Sequence, residues 1–392
     1  MTQSTARRGT PLLAATLLAA PMAAAQDDPL TVGLVLTLSG PPAALGTQAR
    51  DGFQLALDQM GGTMGGREVE LVVADDELKP EVAQQRARDL IERDEADFVV
   101  GTIFSNMLQA IYKPVTDSET FLISPNAGPS TFAGRNCNPF FFVTSYQNDQ
   151  VAEIVGEVAN EEGYGSVFVL APNYQAGRDQ VAGFRKTFAG EVVAEEFSPL
   201  GAQDFSAELA RIADARPDAL FAFMPGGMGV RLVTQFRDAG LADSMGFMSA
   251  FTTDETTLPG QKDAALDFLA AGSWAPDLDN ETNAAFVSAF EEEYGYVPGS
   301  YAAQAYDTAH LIESAVEAVA GDLSDKDAVR EALRAADFES VRGEFAFGAN
   351  HYPVQDFYRL RVVQREDGQF ATSIDGLIRE DFADGYSAEC SM

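Results

Sequence analysis

The chain has 392 residues, 46% hydrophobic and 10% aromatic, with a formal net charge of −34. That length supports two domains of ordinary size, and the charge excludes nucleic acid and anionic lipid as natural partners because both would be repelled. Two histidines (His310, His351) and two cysteines, far apart in sequence, give no recognisable metal-site spacing. No metal and no cofactor are expected. The acids are spread along the chain and form no tail, the pattern of a surface kept soluble by self-repulsion.

The N-terminus reads as an export signal over residues 1–25. Arg7 and Arg8 supply the positive region, Leu12 to Ala20 an apolar stretch too short to span a bilayer, and Ala23-Ala24-Ala25 the small-residue cleavage pattern. The mature chain is expected to begin near Gln26, outside the cytoplasm. No later run approaches the ~18 to 20 apolar residues of a membrane helix. In an oxidising compartment the even cysteine count favours one disulfide, Cys137 to Cys390, tying the tail SAECSM back to the first third of the chain. Two free thiols are the alternative.

From Leu30 the chain alternates strand and helix. Leu30 to Thr37 is a β-branched apolar run, followed by a helix that puts Phe53, Ala56, Leu57 and Met60 on one face. Strand 69–74, helix 81–93, strand 97–101, helix 105–117 and strand 120–124 complete a first series. A second begins after Phe140 to Val143. It runs through a helix that turns Val151, Ile154, Val155 and Val158 inward, strand 166–171, a helix to Phe188, strand 191–197, helix 206–215, strand 219–223, helix 227–239 and strand 246–250. Alternation of this kind means parallel sheets and βαβ units, so two series mean two doubly wound α/β lobes. Helices over 280–294, 300–319 and 325–335 return to lobe one, and late strands over 357–364 and 370–374 to lobe two. The division expected is 26–144 plus 277–350 against 145–276 plus 351–392, with several crossings forming a hinge.

Four stretches carry a resemblance: VGLVLTLSGPPAALGTQARDGFQLALDQM (32–60), GTIFSN (101–106), FLISPNAGPS (121–130) and APNYQAGRD (171–179). Their order and spacing resemble the periplasmic solute-binding proteins of the branched-chain amino-acid family of ABC importers, the type I binding-protein fold, over nearly the whole mature chain. CNPFFF (137–142), FMPGGMG (223–229) and the terminal Cys390-Ser391-Met392 are similar to the subgroup of aromatic-acid binders. The resemblance implies two lobes joined by a multi-crossing hinge, no catalysis, a small carboxylate ligand and a membrane permease as partner. The protein is expected to act in the periplasm as a monomer.

The loops agree chemically. GTIFSN follows a strand and opens a helix with Ser105 as the expected N-cap, where free N–H groups suit a carboxylate. In the family the matching turns hold the ligand carboxylate, which by position points to Ser105, Asn126 and Gly128, with Asn106 and Ala127 adjacent. Tyr174 stands where the family puts an aromatic over the ligand. Gly226 and Gly227 leave the backbone open, and Met228 replaces an aromatic of the amino-acid binders. Those binders usually present a glutamate where this chain has Phe251 and Thr252, with Asp254 slightly later. A buried ammonium without a counter-charge is costly, so the resemblance implies an aromatic or aliphatic carboxylate, such as benzoate or a hydroxybenzoate, packed by Leu45, Met228, Phe251, Tyr174 and Trp274. An amino-acid binder or a soluble sensor of the same fold are the alternatives. An enzyme is disfavoured: GxSxG, HExxH and P-loop motifs are missing, and Asp75-Asp76-Glu77 reads as a solvated strand end rather than a metal site.

Overall fold

The computed structural model describes residues 1–3 and 28–392; all but the first three residues of the expected export signal, and its cleavage point, lie outside these residues. In chain order the first lobe has β1 (Leu30–Leu36), α1 (Ala43–Gln59), β2 (Thr63–Met64), β3 (Arg67–Asp75), α2 (Pro80–Glu92), β4 (Phe98–Gly101), α3 (Ser105–Asp117), β5 (Phe121–Ser124), α4 (Ser130–Ala133) and β6 (Phe141–Val143). Its sheet has the order β2-β3-β1-β4-β5-β6. β3, β1, β4, β5 and β6 run parallel. β1, β4 and β5 are buried throughout, as strands covered by helices on both faces must be.

The second sheet is built from α5 (Asn148–Glu161), β7 (Ser166–Pro172), α6 (Gln175–Thr187), β8 (Glu191–Ser198), α7 (Ser206–Ala215), β9 (Ala219–Ala222), α8 (Gly227–Asp238), β10 (Gly246–Ser249), α9 (Leu258–Gln261) and β11 (Leu269–Gly272). Three helices follow, α10 (Glu281–Tyr294), α11 (Ser300–Ala318) and α12 (Lys326–Ala335). The chain then returns through β12 (Ala346–Phe347), β13 (Pro353–Gln364) and β14 (Phe370–Phe382). The strand order is β12-β13-β11-β10-β9-β7-β8, with β14 on β13. β13 runs antiparallel to β11 and β14, so a parallel sheet ends in an antiparallel edge.

β11 escapes sequence reading because Leu269-Ala270-Ala271-Gly272 is four residues long and has no β-branched side chain. It matters nonetheless, since it joins β10 to β13 and delivers the chain to a crossing. The late strands extend beyond their apolar runs, β13 starting at Pro353 and β14 reaching Phe382. Asp76 is not solvated: its Oδ1 accepts from Thr37 Oγ1 (2.8 Å) and Leu78 N (2.8 Å) and it is fully buried, so it closes the turn after β3.

α11 packs on α1 at close range. A Cβ placed on Gly52 would lie 2.1 Å from the Ala302 carbonyl oxygen, so the helix backbones approach as only glycine permits. Helices following the second sheet therefore sit on the first. The chain passes between the sheets three times: between β6 and α5, between β11 and α10, and between α12 and β12. The C-terminal tail adds a tie through a disulfide between Cys137 and Cys390, Cα–Cα 5.7 Å, over a sequence separation of 253.

Two crossings meet at one buried ion pair. Arg342 and Asp307 are both essentially inaccessible; Arg342 Nη2 lies 2.8 Å from Asp307 Oδ2. Arg342 Nη1 also donates to Ser145 O (3.2 Å) and Gln355 Oε1 (2.8 Å), and Gln355 Nε2 donates to Ser145 O (2.6 Å). Asp307 further accepts from Ser340 Oγ and Val341 N. Removing one partner strands a buried charge, so Arg342→Met should lower unfolding free energy by about 3–5 kcal/mol, measured by urea denaturation. A loss below about 1 kcal/mol would show the pair to be dispensable.

Candidate ligand site

The cavity between the sheets lies beyond the carboxyl ends of the parallel strands, where open α/β sheets bind ligands. Lobe one contributes Leu45 from α1, Ile103, Phe104 and Ser105 at the start of α3, Asn126 and Ala127 after β5, and Tyr301 from α11. Tyr146 and Asn148 come from the first crossing. Lobe two contributes Tyr174, Ala176 and Gln180 around α6, Phe223 and Pro225 after β9, and Phe251 after β10.

Six of the lining residues are aromatic: Phe104, Tyr146, Tyr174, Phe223, Phe251 and Tyr301. Tyr174 lies near-parallel to Phe223 at 6.2 Å between centroids and tilted against Phe104 at 6.0 Å. Phe251 stacks on Tyr146 at 5.0 Å and meets Phe223 and Tyr301 at 6.4 and 6.3 Å. Burial pushes the Tyr174 and Tyr301 phenols well above the ordinary tyrosine value, so both keep their protons as donors.

The polar end is made by helices. α3 starts at Ser105 and α6 at Gln175, each 13 residues long, and both starts lie in the wall. First-turn N–H groups have no acceptor inside their helix, and two helix dipoles pointing their positive ends at one space favour an anion. Ser105 is not the N-cap; Phe104 holds that place and no side chain caps the helix. Ser105 Oγ instead accepts from Asn148 Nδ2 (3.1 Å), which also donates to Asp179 Oδ2 (2.9 Å).

Other expected residues are placed differently. Asn126 lines the cavity, but its Nδ2 donates to Ile103 O (2.6 Å) and its Oδ1 accepts from Tyr146 Oη (2.9 Å), so its polar groups join two loops. Ala127 N donates to Thr102 O and Gly128 N to Asn148 Oδ1, which leaves neither N–H free; Gly128 is glycine because a Cβ would sit 1.9 Å from Tyr146 O. Asn106 is not among the residues that line the cavity. Gly226 and Gly227 are where the lobes touch: added Cβ atoms would meet Leu45 Cδ1 at 2.9 Å and Pro41 Cβ at 3.2 Å. Met228 does not reach the cavity; α8 turns it into the lobe-two core beside Met224 and Leu232. The lining residues that sequence reading missed are Ile103, Phe104, Tyr146, Asn148, Ala176, Gln180, Phe223, Pro225 and Tyr301. Phe104 and Phe223 lie inside the quoted motifs GTIFSN and FMPGGMG, and each comes shortly after a buried strand, a signal that points to them.

A second cavity shares Tyr146 and Phe251 with the first and is lined also by Trp274, Asp254 and Glu255. Trp274 Nε1 donates to Asn283 Oδ1 (2.7 Å), fastening the second crossing to α10. Asp254 Oδ1 accepts from Thr256 N (2.8 Å), and burial pushes its carboxyl up to about 6. Glu255 Oε1 accepts from Thr372 N (2.8 Å) and Oγ1 (2.7 Å); burial, then the neighbouring Asp254, push it up to about 7. The two histidines serve elsewhere: His351 stacks on Phe142 at 3.9 Å, and burial lowers it to about 4, so it is neutral at pH 7. Among the described residues no group of three His, Cys, Asp or Glu side chains is placed to hold a metal ion, and no helix is long and apolar enough to cross a membrane.

The comparisons agree with this architecture. Residues 29–369 match the family model described as periplasmic binding protein. The chain belongs to the periplasmic binding protein family. A solute-binding protein of an ABC transporter from R. palustris, solved in complex with benzoate, is 32% identical, with a TM-score of 0.88, covering 93% of this chain and 100% of that one. One from Rhodopseudomonas palustris BisB5, in complex with 3,4-dihydroxybenzoic acid, is 28% identical with a TM-score of 0.84, covering 91% and 98%. A Leu/Ile/Val-binding protein homolog from Brucella melitensis is 27% identical over 360 residues, 88% of this chain and 91% of its own. This periplasmic binding protein has the type I two-lobed fold that the sequence resemblance implies.

Asp254 and Glu255 make a pH test of the second cavity. Each is raised in the fold, so the protonated form is favoured; that stability is complete below the unfolded values near 4 and is lost as pH rises through 6 and 7. Glu255→Gln keeps the acceptor for Thr372 and removes one such loss. The variant should gain on the wild type by about 3 kcal/mol between pH 4 and pH 8, measured by denaturant unfolding at both pH values. A difference independent of pH would mean that Glu255 is not held in its neutral form.

Proposed function

We propose that this protein is the exported receptor of an ABC importer and captures a small aromatic carboxylate between its lobes. The observation that carries the reading is the pairing of six aromatic rings with two helix N-termini in one enclosed space: a planar apolar body and a single anion match it. No Lys, Arg or His lines this cavity, so the carboxylate is held by neutral donors, the first-turn N–H groups of α3 and α6, Ser105 and the phenols of Tyr174 and Tyr301. The similarity to proteins solved with benzoate and a dihydroxybenzoate supports the same solute class. Residues 1–25 deliver the chain to the periplasm, and a membrane permease accepts the solute.

Binding proceeds by closure. The carboxylate docks on lobe one at Ser105, and lobe two brings Tyr174, Phe223 and Phe251 over the ring. Contacts made only when the lobes meet bias the hinge, so ligand identity and closure are coupled. A second reading, an amino-acid receptor, is favoured by the Leu/Ile/Val-binding relatives but leaves the ammonium without a counter-charge in the first cavity.

Calorimetric titration of the refolded, ligand-stripped protein separates the two: one-to-one heat with benzoate and none with leucine is expected, and the reverse would replace the solute class. Tyr174→Ala should weaken benzoate binding by about 1–3 kcal/mol, through loss of ring contact and one donor. Unchanged affinity would remove Tyr174 from the site.

A further inference from the structure

Asp179, in α6 of lobe two, is a buried carboxyl that the ligand cavity does not include: it is 4% exposed and is not among the lining residues. Four donors converge on it. Its Oδ1 accepts from Ser130 Oγ (2.7 Å) and Gln175 Nε2 (2.7 Å), and its Oδ2 from Ser130 N (3.1 Å) and Asn148 Nδ2 (2.9 Å). Ser130 opens α4 in lobe one, Gln175 opens α6, and Asn148 stands at the end of the first crossing. One side chain therefore holds both lobes and the segment between them. Burial raises its carboxyl above the usual value, against the pull of the Ser130 and Asn148 donors. A carboxyl buried at that cost calls for a reason.

The orientation of Asn148 supplies one. Its Oδ1 accepts from Gly128 N (3.1 Å), which fixes the amide oxygen on that side. Its two N–H bonds are both used, one on Asp179 Oδ2 and one on Ser105 Oγ (3.1 Å). A serine hydroxyl has one proton, and Ser105 Oγ serves here as an acceptor; among the described residues it donates to no protein group. Its proton is left for the cavity, which Ser105 lines. We propose that Asp179 is a positioning residue for the carboxylate seat: from lobe two it holds Asn148 as a double donor, and Asn148 in turn directs the Ser105 O–H toward the solute anion. The inference rests on the reading of that cavity as the carboxylate seat. Without Asn148 in place the hydroxyl is free to turn to a backbone carbonyl, as serines near helix ends do. Two effects of Asp179 oppose each other. Its charge disfavours an anion nearby, whereas the relay delivers a donor to that anion. The relay also makes a lobe-one donor depend on where lobe two stands, which ties anion binding to closure.

Calorimetric titration with benzoate around the cycle of Asp179→Ala, Ser105→Ala and the double variant tests this. Asp179→Ala should weaken binding about tenfold, the order of one aligned hydrogen bond to a charged group. Where Ser105 is already alanine, the same substitution should cost less than about twofold. Asp179→Asn keeps an acceptor for Asn148 and should restore most of the affinity. Equal losses from Asp179→Ala in both backgrounds overturn the relay and make Asp179 a structural tie between the lobes. Unchanged or tighter binding by Asp179→Ala overturns it too, tighter binding showing that the charge only repels the solute. In these cases the carboxylate seat stands, provided that Ser105→Ala weakens binding. Wild-type affinity in Ser105→Ala removes seat and relay together, and no heat from benzoate with the wild type overturns the solute class along with both. Should Asp179→Ala not fold, Asn148→Asp carries the test. It keeps the acceptor for Gly128 N and replaces the two donors by an acceptor that draws the Ser105 proton away from the solute. Ser105→Ala should then cost less than about twofold, and a full Ser105→Ala loss in that background overturns the relay.

Discussion

The buried pair of Asp307 and Arg342 is the constraint on which the arrangement of the lobes depends. Arg342 belongs to the third crossing, Ser145 to the first, and Asp307 to the helix that packs lobe one against α1. One guanidinium therefore sets where two chain crossings stand relative to a helix. It reaches Ser145, one residue from Tyr146 and three from Asn148, both of which line the ligand cavity. The site has no existence within either lobe. It is made when strand ends of two sheets are held facing each other, and a buried charge is an exacting holder because any misplacement leaves it unpaired.

The electrostatic design follows from the overall charge. A chain at −34 repels anions at long range, so an anionic solute needs a local field in its favour. Helix N-termini supply one at short range without a cation to desolvate. The aromatic wall then contributes in proportion to the apolar area withdrawn from water. The acid-rich second cavity lies on the far side of Tyr146 and Phe251, and burial there keeps Asp254 and Glu255 closer to neutrality than exposed carboxyls. Polar character thus changes sign across one pair of rings.

Much of the architecture was legible from periodicity. The helix over 105–117 appears with the expected limits, and the strand–helix alternation marks both lobes, because parallel strands buried on both faces must be apolar throughout. β11 was not legible, since four small residues carry no such pattern. Of the residues expected at the site, Ser105, Tyr174, Phe251, Leu45, Asn126 and Ala127 line one cavity. Met228 does not, because helix phase after Gly227 turns it into the core. Gly128 and Ala127 line a carboxylate-like turn, but their N–H groups are consumed by Asn148 and Thr102, partners 20 and 25 residues distant in sequence. Whether a donor is free is a question about its neighbours, and local sequence does not contain them.

By itself, then, the sequence determined the α/β class, the two series of βαβ units, the cysteine pair and the turns from which a ligand would be reached. These depend on short-range pattern, on composition, or on an even count of two thiols. Tertiary structure alone decided which donors remain unused, that Tyr146, Phe223 and Tyr301 complete the aromatic wall, and that Asp254 stands behind Phe251 rather than beside Ser105. These facts depend on the orientation of two sheets joined by three crossings, which brings residues 45 and 301 from one lobe against residues 174 and 251 from the other.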